Sequence, residues 1–314
     1  MEKDFEIKRY TPEHKKIWDN FVESSKNGTF LFNRDYMDYH CDRFQDNSYI
    51  FYHKNRVYCL LPANRKDDIL FSHEGLTYGG VIMDESCTAQ GILEVFNLLT
   101  EYLMKEGIKR IIYKPVPHIY HSLPAEEDLY ALFRHDASLR GRNISATIFQ
   151  RNTIKFSTLR KRMIKKAVDY GIKVHPTNDW NIYWDILTKN LREKYDSSPV
   201  HSRDEILKLS SSFPHHIKLY GAFKNERMIG GVVVYLFKEV AHTQYISANK
   251  EGKENGAIDI ILDHLIKKYE ELPYFDLGTS NEDGGKYLNE NLIHQKEGFG
   301  ARGICYDTWE MIIS

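Results

Sequence analysis

The sequence predicts an α/β protein made of two similar domains, covering residues 1–150 and 151–314. The chain has 314 residues, and at about 150 residues per domain this length gives two domains. Strand-like segments alternate with amphipathic helices along the whole chain. The same order of elements occurs in both halves, offset by about 165 to 170 residues. Together these observations predict an internal repeat.

The repeated part of each half begins with a hairpin. The segment YIFYHKNRVYCLLP is predicted to turn at Lys54-Asn55, and IKLYGAFKNERMIGGVVVYL at Lys224-Asn225. Each hairpin is followed by a further strand, a helix of about five turns and a closing strand, at Ile111–Val116 and Tyr274–Thr279. We interpret this order as a diverged duplication, although a hairpin followed by a helix also recurs by coincidence. The boundary is expected near Gln150–Thr153.

Four segments carry apolar residues at helical spacing. They predict helices at Cys87–Glu106, at Asn255–Leu272, around Phe156–Ala167 with an end at Gly171, and around Trp180–Leu191. Runs of β-branched and aromatic residues between turn signals predict strands. These strands are Ser48–His53, Val57–Pro62, Arg110–Val116, Ser145–Gln150, Ile217–Phe223, Met228–Phe237, Ala241–Ser247, Tyr274–Leu277 and Tyr306–Ile313.

Composition excludes several classes of protein. Lys and Arg total 43 against 44 for Asp and Glu, and this balance argues against a protein that coats DNA or RNA through its overall charge. The four cysteines form no C-x-x-C pair, so neither a disulfide scaffold nor a cysteine zinc site is expected. The charged N-terminus lacks a signal-peptide core, and the longest apolar run, Gly230–Phe237, is too short to span a membrane. We therefore expect a soluble cytoplasmic protein without a bound metal.

One segment departs from this neutral balance. Residues 151–173 carry eight basic side chains and one acidic residue, Asp169. Arg160 lies at the margin of the apolar stripe of this helix, so it is the residue we expect to contact a phosphate. The phosphate could belong to the pyrophosphate of coenzyme A, a nucleotide sugar, an anionic lipid or a tRNA, and a simple solvated helix face stays an alternative. The basic residues are Arg151, Lys155, Arg160, Lys161, Arg162, Lys165, Lys166 and Lys173.

Two loops after strands are candidates for chemistry. In DLGTSNEDGG, the side chains of Asp276, Ser280 and Glu282 offer a base or hydrogen-bond acceptors where a strand ends, although turns and helix caps also use such residues. In YISANKEGKENGAID, Gly252 and Gly256 precede a helix whose backbone N–H groups could bind an anion. The loop is neither a Walker loop nor a G-x-G-x-x-G motif.

A fourth candidate is Lys296, in the segment HQKEGFGAR. A lysine in a turn rich in glycine and phenylalanine could stabilise developing negative charge, although a plain surface lysine is the alternative. The histidines show no metal-ligand spacing, and the sequence contains no G-x-S-x-G motif.

At these residues the chain resembles the FemAB-like branch of the GNAT acyltransferase superfamily, which includes the bacterial BioF2-like (acetyltransferase-6) domains. The resemblance covers nearly the whole chain. It is carried by the duplicated halves, by TLRKRMIKKAVDYGIKV, by AHTQYISANKEGKENGAIDIILDHLI and by YFDLGTSNEDGGKYLNENLIHQKEGFGARG. In the first half, GLTYGGVIM and YKPVPHIYHSLPAEEDLYALF are the matching segments.

The resemblance implies two tandem GNAT-like domains, each with a mixed, twisted sheet flanked by helices, and an active site in the second. It implies transfer of an acyl or aminoacyl group to an amine. In GNAT proteins that use acetyl-CoA, a glycine loop holds the pyrophosphate, and this function maps to Lys253, Gly256 and Ala257. The usual Arg/Gln-x-x-Gly-x-Gly/Ala pattern is not intact, because Lys253 stands at its first position.

The resemblance also implies roles for individual residues. Lys296 matches a catalytic lysine of Fem enzymes through its K-x-G-F context, as a stabiliser of an oxyanion or phosphate. Asp276 or Glu282 is expected to act as base or to orient the substrate, and Tyr245 to protonate the leaving thiolate. We expect Ser280 and Arg302 to contact the substrate rather than to take part in catalysis.

These features together predict an N-acyltransferase that uses acetyl-CoA or another acyl-CoA as co-substrate. The resemblance places its acceptor amine on a cell-envelope or surface-polysaccharide precursor, a small molecule or a sugar linked to a nucleotide or lipid. A Fem-type peptidyltransferase that uses aminoacyl-tRNA is an alternative, disfavoured because the charge is neutral and no long heptad helix is present. A non-catalytic binding protein with the same fold is the second alternative.

Overall fold

A computed structural model describes residues 5–313 and divides them into two compact units. The first unit comprises residues 5–144, 281–287 and 305–313, and the second comprises residues 145–280 and 288–304. The chain first passes from one unit to the other at residues 144 and 145, six residues before the boundary predicted from sequence. The later returns to the first unit, at 281–287 and 305–313, were not predicted. No helix in the described range is both long and apolar enough to cross a membrane.

The helices follow the predicted pattern and add several shorter ones. Gly171 has a φ of +80° and ends the basic helix where the sequence placed its end. The α-helices are α1 (Lys15–Ser24), α2 (Arg34–Met37), α3 (Ala89–Lys105), α4 (Glu127–Arg134), α5 (Thr158–Tyr170), α6 (Trp180–Tyr195), α7 (Arg203–Ser212), α8 (Lys250–Glu254), α9 (Ala257–Lys268) and α10 (Glu290–Glu297). Short 3₁₀ helices lie at Pro12–His14, Phe30–Phe32, Asp38–His40, His118–Tyr120 and Asp283–Gly285.

The strands include every one that the sequence predicted, with small shifts of their ends. The strands are β1 (Phe5–Arg9), β2 (Tyr49–His53), β3 (Arg56–Leu61), β4 (Asn64–Lys66), β5 (Ile69–Phe71), β6 (Ile82–Met83), β7 (Arg110–Tyr113), β8 (Ser138–Phe149), β9 (Lys173–Pro176), β10 (Ile217–Lys224), β11 (Arg227–Leu236), β12 (Val240–Ala248), β13 (Tyr274–Thr279), β14 (Asn281–Glu282), β15 (Tyr287–Leu288) and β16 (Arg302–Ile312). Strand β8 begins seven residues before its predicted start, in a polar stretch without strand signals.

The two units repeat one order of antiparallel strands. In the first unit the order is β1-β2-β3-β6, and in the second the strands β9-β10-β11-β12 are arranged in the same way. A long helix follows in each case, α3 or α9, and then a strand, β7 or β13. In the second unit β13 pairs with β12 in parallel and with β8 in antiparallel orientation, so the sheet is mixed. The predicted α/β architecture with mixed sheets flanked by helices is confirmed.

Each unit has its own apolar core. In the first, α3 buries Ile92, Val95, Phe96, Leu99 and Leu103, the stripe that predicted this helix from sequence. In the second, α9 buries its apolar face against the sheet together with Phe275 and Phe299. Burial of these faces removes apolar surface from water and fixes which side of each sheet carries its helix.

The predicted turn of the second hairpin is off by one residue. The first hairpin turns at Lys54 and Asn55, with φ values of 49° and 63°, as predicted. The second turns at Asn225 and Glu226, with φ values of 47° and 63°, because β10 continues through Lys224. Left-handed φ at both central residues marks a tight two-residue turn in both hairpins.

In the second unit, β12 and β13 diverge after a short contact. They pair only from Val240 to His242, where His242 lies opposite Asp276. Beyond that point β12 stays paired with β11, and Ala248 lies opposite Gly230. The Asn249 N–H donates to the Ile229 carbonyl, so by antiparallel alternation the backbone groups of Ile246 and Ala248 point away from β11. No described strand pairs with this side of β12, so its end is an open strand edge, at which the Ala248 carbonyl accepts only from the side chain of Asn190.

In the first unit the corresponding edge is closed by the chain itself. The amide side chain of Asn27 donates to the Val81 carbonyl at 2.9 Å and accepts from the Met83 N–H at 2.8 Å. The Lys26 N–H donates to the Met83 carbonyl. Asn27 is 1% exposed, so its amide serves as a permanent substitute for a neighbouring strand beside β6.

We predict that Gly256→Ala destabilises the protein more than Gly171→Ala. Both glycines have left-handed φ, 76° and 80°, which costs an alanine about 1–2 kcal/mol. An added Cβ at Gly256 would also lie 2.5 Å from the Met163 carbonyl oxygen, whereas at Gly171 it would meet only the flexible Lys224 amine at 3.3 Å. Urea denaturation of the two variants measures the difference. Equal losses would contradict close packing of α9 on α5.

Candidate active site

The centre of the candidate site is the point where β12 and β13 part. Asp276 of β13 has Thr147 of β8 as its cross-strand neighbour on one side and His242 of β12 on the other. Because directly opposite residues share a face of the sheet, the three side chains meet. The His242 Nδ1 lies 2.8 Å from Asp276 Oδ2.

Asp276 is fully buried and has several hydrogen-bond donors. Its Oδ1 accepts from the hydroxyls of Ser145 at 2.5 Å and Thr147 at 2.7 Å, and from the Gly278 N–H at 3.3 Å. Burial alone would raise the pKa of Asp276, but the hydrogen bond and charge of His242, with both hydroxyls, outweigh it and lower the pKa to about 2. Asp276 is therefore ionised at neutral pH and has no exposed surface.

This environment fixes the tautomer of His242. An ionised Asp276 only accepts hydrogen bonds, so Nδ1 of His242 carries a proton and donates it. The opposite nitrogen, Nε2, has no hydrogen-bond partner among the described residues and is not fully buried. A neutral imidazole held in this way presents a basic Nε2, the arrangement of a general base oriented by a carboxylate.

Lys296 lies close to this pair. Its ammonium donates to the carbonyl oxygens of Gly278 and Thr279, both at 2.8 Å, and the residue is 7% exposed. Burial lowers the pKa of Lys296 to about 8, although the Asp276 carboxylate acts in the opposite direction. The His242 Cε1 lies 3.4 Å from the position of a Cβ built on Gly278. Gly278 therefore lies between the Lys296 ammonium, which donates to its carbonyl, and the ring of His242.

A groove with a volume of about 350 Å³ runs from Lys296 along the open edge of β12. The walls come from α6, β12, α9 and α10 and are largely apolar. Lys296 and Lys253 both line the groove, as does the edge formed by Ile246, Ser247 and Ala248. The apolar lining residues are Leu187, Leu191, Ile246, Ala248, Ile258, Leu262, Leu292 and Phe299. The groove fits a slender ligand that carries amides and ends at Lys296.

Arg160 has an internal anionic partner. Its Nη1 lies 2.6 Å from Asp259 Oδ1, and both side chains are largely buried. Asp259 occupies the first turn of α9, where a carboxylate already complements the helix dipole. Gly256 and Ala257 are buried beside α5. Arg160, which we predicted to contact a phosphate, thus pairs with a carboxylate of the same chain.

The remaining predicted residues are spread more widely. Tyr245 places its hydroxyl 2.6 Å from His201 Nδ1, and its ring packs on Trp184. Ser280 is 2% exposed, and its hydroxyl has no partner among residues 5–313. Arg302 is exposed and donates to the Ala301 carbonyl. Glu282 is exposed and belongs to the first unit.

Sequence reasoning overlooked His242 and Asn190. His242 lies 34 residues before Asp276, and no local motif links the two. A signal was present, since His242 lies near the start of the predicted strand Ala241–Ser247, and a histidine in a strand is a candidate for a cross-strand pair. Asn190 lies on α6 and reaches the end of β12, which helical periodicity alone does not indicate. Within residues 5–313, no cluster of three or more metal-binding side chains is found.

We predict that Asp276→Asn removes stability that the wild-type protein gains above pH 4. The folded-state pKa of about 2 lies below the ordinary value of 3.8, so this contribution is present above pH 4 and is lost as the pH falls toward 2. It amounts to roughly 2 kcal/mol.

Urea denaturation between pH 7 and pH 2 measures the prediction. The exposed Asp169→Asn is the control and should keep the wild-type acid dependence. The same acid dependence in Asp276→Asn and wild type would show that Asp276 is not the depressed carboxylate.

No family model and no curated protein sequence matches the chain. Solved structures do match over nearly its full length. FemX has a TM-score of 0.68 at 10% identity, covering 98% of this chain and 97% of its own. L-PGS from Bacillus licheniformis has a TM-score of 0.61 at 10% identity, with 96% and 91% covered.

A third structure connects the chain to GNAT proteins. A tandem GNAT protein from the clavulanic acid biosynthesis pathway has a TM-score of 0.52 at 10% identity, with 99% of both chains covered. At this level of identity the similarity concerns the fold. The chain has the FemAB-like tandem GNAT fold, as the resemblance predicted.

Proposed function

We propose that the protein transfers an acyl group from an acyl-CoA thioester to an amine. The observation that carries the proposal is the Asp276–His242 pair close to Lys296, which itself lines a largely apolar groove. A base oriented by a carboxylate, a cation and a binding groove are the groups that acyl transfer to an amine requires. The fold shared with a tandem GNAT protein supports the same class of reaction.

The open edge of β12 supports coenzyme A as the carrier. The pantetheine arm of coenzyme A is a thin chain with two amides, and an extended chain with amides can pair with a free strand edge. Ile246 and Ala248 offer that edge inside the groove. Lys253, exposed at the far end, is positioned for a phosphate. The thioester would then lie beside Lys296.

In the proposed reaction, the base activates the amine and the cation stabilises the intermediate. The nitrogen of the neutral acceptor amine attacks the thioester carbonyl and forms the C–N bond, while His242 Nε2 removes a proton from that nitrogen. Negative charge develops on the carbonyl oxygen, and the Lys296 ammonium, protonated below pH 8, stabilises it. Collapse of the tetrahedral intermediate breaks the C–S bond, and the His242 imidazolium donates the proton to the departing thiolate of coenzyme A. The products are an amide and free coenzyme A.

In this scheme Asp276 is a positioning residue. It has no exposed surface, so it acts by holding the tautomer of His242 and by stabilising the imidazolium. This assigns the role of base, expected for Asp276 or Glu282 from sequence, to His242. Arg160 likewise positions α9 through Asp259, and the phosphate contact stays with Lys253. The mechanism needs no contribution from Tyr245, Ser280 or Arg302.

We place the acceptor amine on a cell-envelope or surface-polysaccharide precursor, including sugars linked to nucleotides or lipids. The fold similarity to FemX and to a lysylphosphatidylglycerol synthetase domain from Agrobacterium fabrum supports this class of acceptor. The four cysteines are free thiols, which, together with an acyl-CoA donor, supports a cytoplasmic reaction.

Aminoacyl-tRNA is the second candidate donor, and a specific surface favours it. Exposed cations on or next to α5 that make no ion pair with the described residues include Lys155, Lys161, Arg162, Lys165 and Lys166. An exposed cationic row of this kind fits a nucleic-acid backbone.

We predict that His242→Gln lowers the rate of transfer by about 10²–10⁴-fold, because glutamine is too weakly basic to accept the proton. Lys296→Met should lower it by about 10²–10³-fold, since the oxyanion loses its cation. Release of coenzyme A from acetyl-CoA, with a panel of nucleotide-linked amino sugars, measures both. His215→Gln is the control, because His215 is exposed on a surface turn. Full activity in His242→Gln would contradict the assignment of His242 as the general base.

We predict that acetyl-CoA raises the melting temperature of the protein, because a ligand that binds only the folded state stabilises it. Lys253→Met should weaken this shift. An aminoacyl-tRNA enzyme would behave differently. It would bind tRNA with an affinity that falls steeply with salt, and acetyl-CoA would leave its melting temperature unchanged. That pair of results would favour the second donor.

A further inference from the structure

The side chain of Asn190 occupies part of the donor groove. Asn190 lies on α6 and is half-buried. Its Nδ2 donates to the Ala248 carbonyl at 2.8 Å and to the Ser247 hydroxyl at 2.7 Å. Its Oδ1 accepts from the Lys253 ammonium at 2.6 Å. One amide therefore connects α6, the end of β12 and α8.

The contact with Ala248 falls on the open strand edge. The carbonyl of Ala248 points away from β11, in the direction where a ligand amide would pair. Asn190 satisfies this carbonyl with an amide N–H of its own, and a donor amide would need the same position. The side chain of Asn190 therefore competes with the donor arm for the strand edge.

In the first unit, a fully buried asparagine side chain makes the same kind of contact with a strand edge. Asn27 satisfies the edge of β6 with its side-chain amide and is 1% exposed. Asn190 differs in two respects that make it removable. It is only half-buried, and it is held in part by an exposed lysine, Lys253.

Asn190 and Lys253 also stand where two grooves meet. A second groove, of about 590 Å³, is lined by both residues and by Lys189 and Lys250. Asn190 and Lys253 line the first groove as well. The carboxylates of Asp185, Glu193 and Glu254 line the second groove as well. Lys189 pairs with Glu193 at 3.8 Å, so Lys250 and Lys253 are the ammonium groups that remain for a phosphorylated ligand. A molecule that extends from one groove into the other must pass this pair.

We propose that Asn190 and Lys253 form a latch that a phosphate on the donor opens. A phosphate in the second groove attracts Lys253 away from Asn190 Oδ1, and the freed side chain leaves the Ala248 carbonyl to the donor amide. This inference rests on the proposed acyl-CoA function and names the specificity of that site. The enzyme admits donors that combine an amide arm with a phosphate, and binding of the two parts is cooperative.

Two fragments of coenzyme A test the latch by isothermal titration calorimetry. Pantetheine carries the amide arm, and adenosine 3′,5′-bisphosphate carries phosphates. In the wild-type protein we expect the bisphosphate to tighten pantetheine binding by about five- to tenfold, the effect of about one hydrogen bond. In Asn190→Ala, pantetheine alone should bind as tightly as it does to wild type with bisphosphate, and the coupling should vanish.

Asn181→Ala is the matched control, since Asn181 is exposed on the same helix, and its coupling should equal that of wild type. Weaker pantetheine binding in Asn190→Ala would make Asn190 a donor contact and overturn the latch. Unchanged coupling in that variant, or none in wild type, would overturn it as well. If neither fragment binds any variant and acetyl-CoA gives no thermal shift, the acyl-CoA function fails and the latch fails with it.

Discussion

The second unit depends on how one buried carboxylate is satisfied. Asp276 carries its charge without any exposed surface, and a buried charge without partners costs several kcal/mol. Its donors come from β8, from β12 and from the backbone of β13 itself. The three strands must therefore hold one arrangement at this point. The orientation of His242, the turn at Gly278 and the place where β12 and β13 part all follow from that requirement.

Local patterns in the sequence predicted the elements of the fold well. Helices with strong apolar stripes, such as α3 and α9, were found because their periodicity is local and long. Strands of two or three residues, such as β4 and β6, were missed because they are too short to show alternation. The second hairpin turn was misplaced by one residue, because Lys-Asn and Asn-Glu are both acceptable turn pairs.

The candidate site was only partly predictable, since its pairs are distant in sequence. Asp276 and Lys296 were proposed from the segments around them, but His242, which hydrogen-bonds to Asp276, is on another strand. Arg160 was correctly seen to flank the apolar stripe, yet its anion is Asp259, 99 residues away. A sequence can show that a charged residue lies at the edge of a buried apolar stripe, but the identity of its partner depends on the tertiary fold.

The path of the chain through the two units has a consequence for biosynthesis. Residues 305–313 belong to the first unit, where β16 pairs with β7, and residues 288–304, which include Lys296, belong to the second. Neither unit has all of its parts before residue 304 has been made, so domain-by-domain folding during translation is restricted. A chain released before residue 288 lacks Lys296 and β16, and its β7 pairs only with β5. The free edge of β7 in such a fragment is a site where another chain can pair, which favours aggregation.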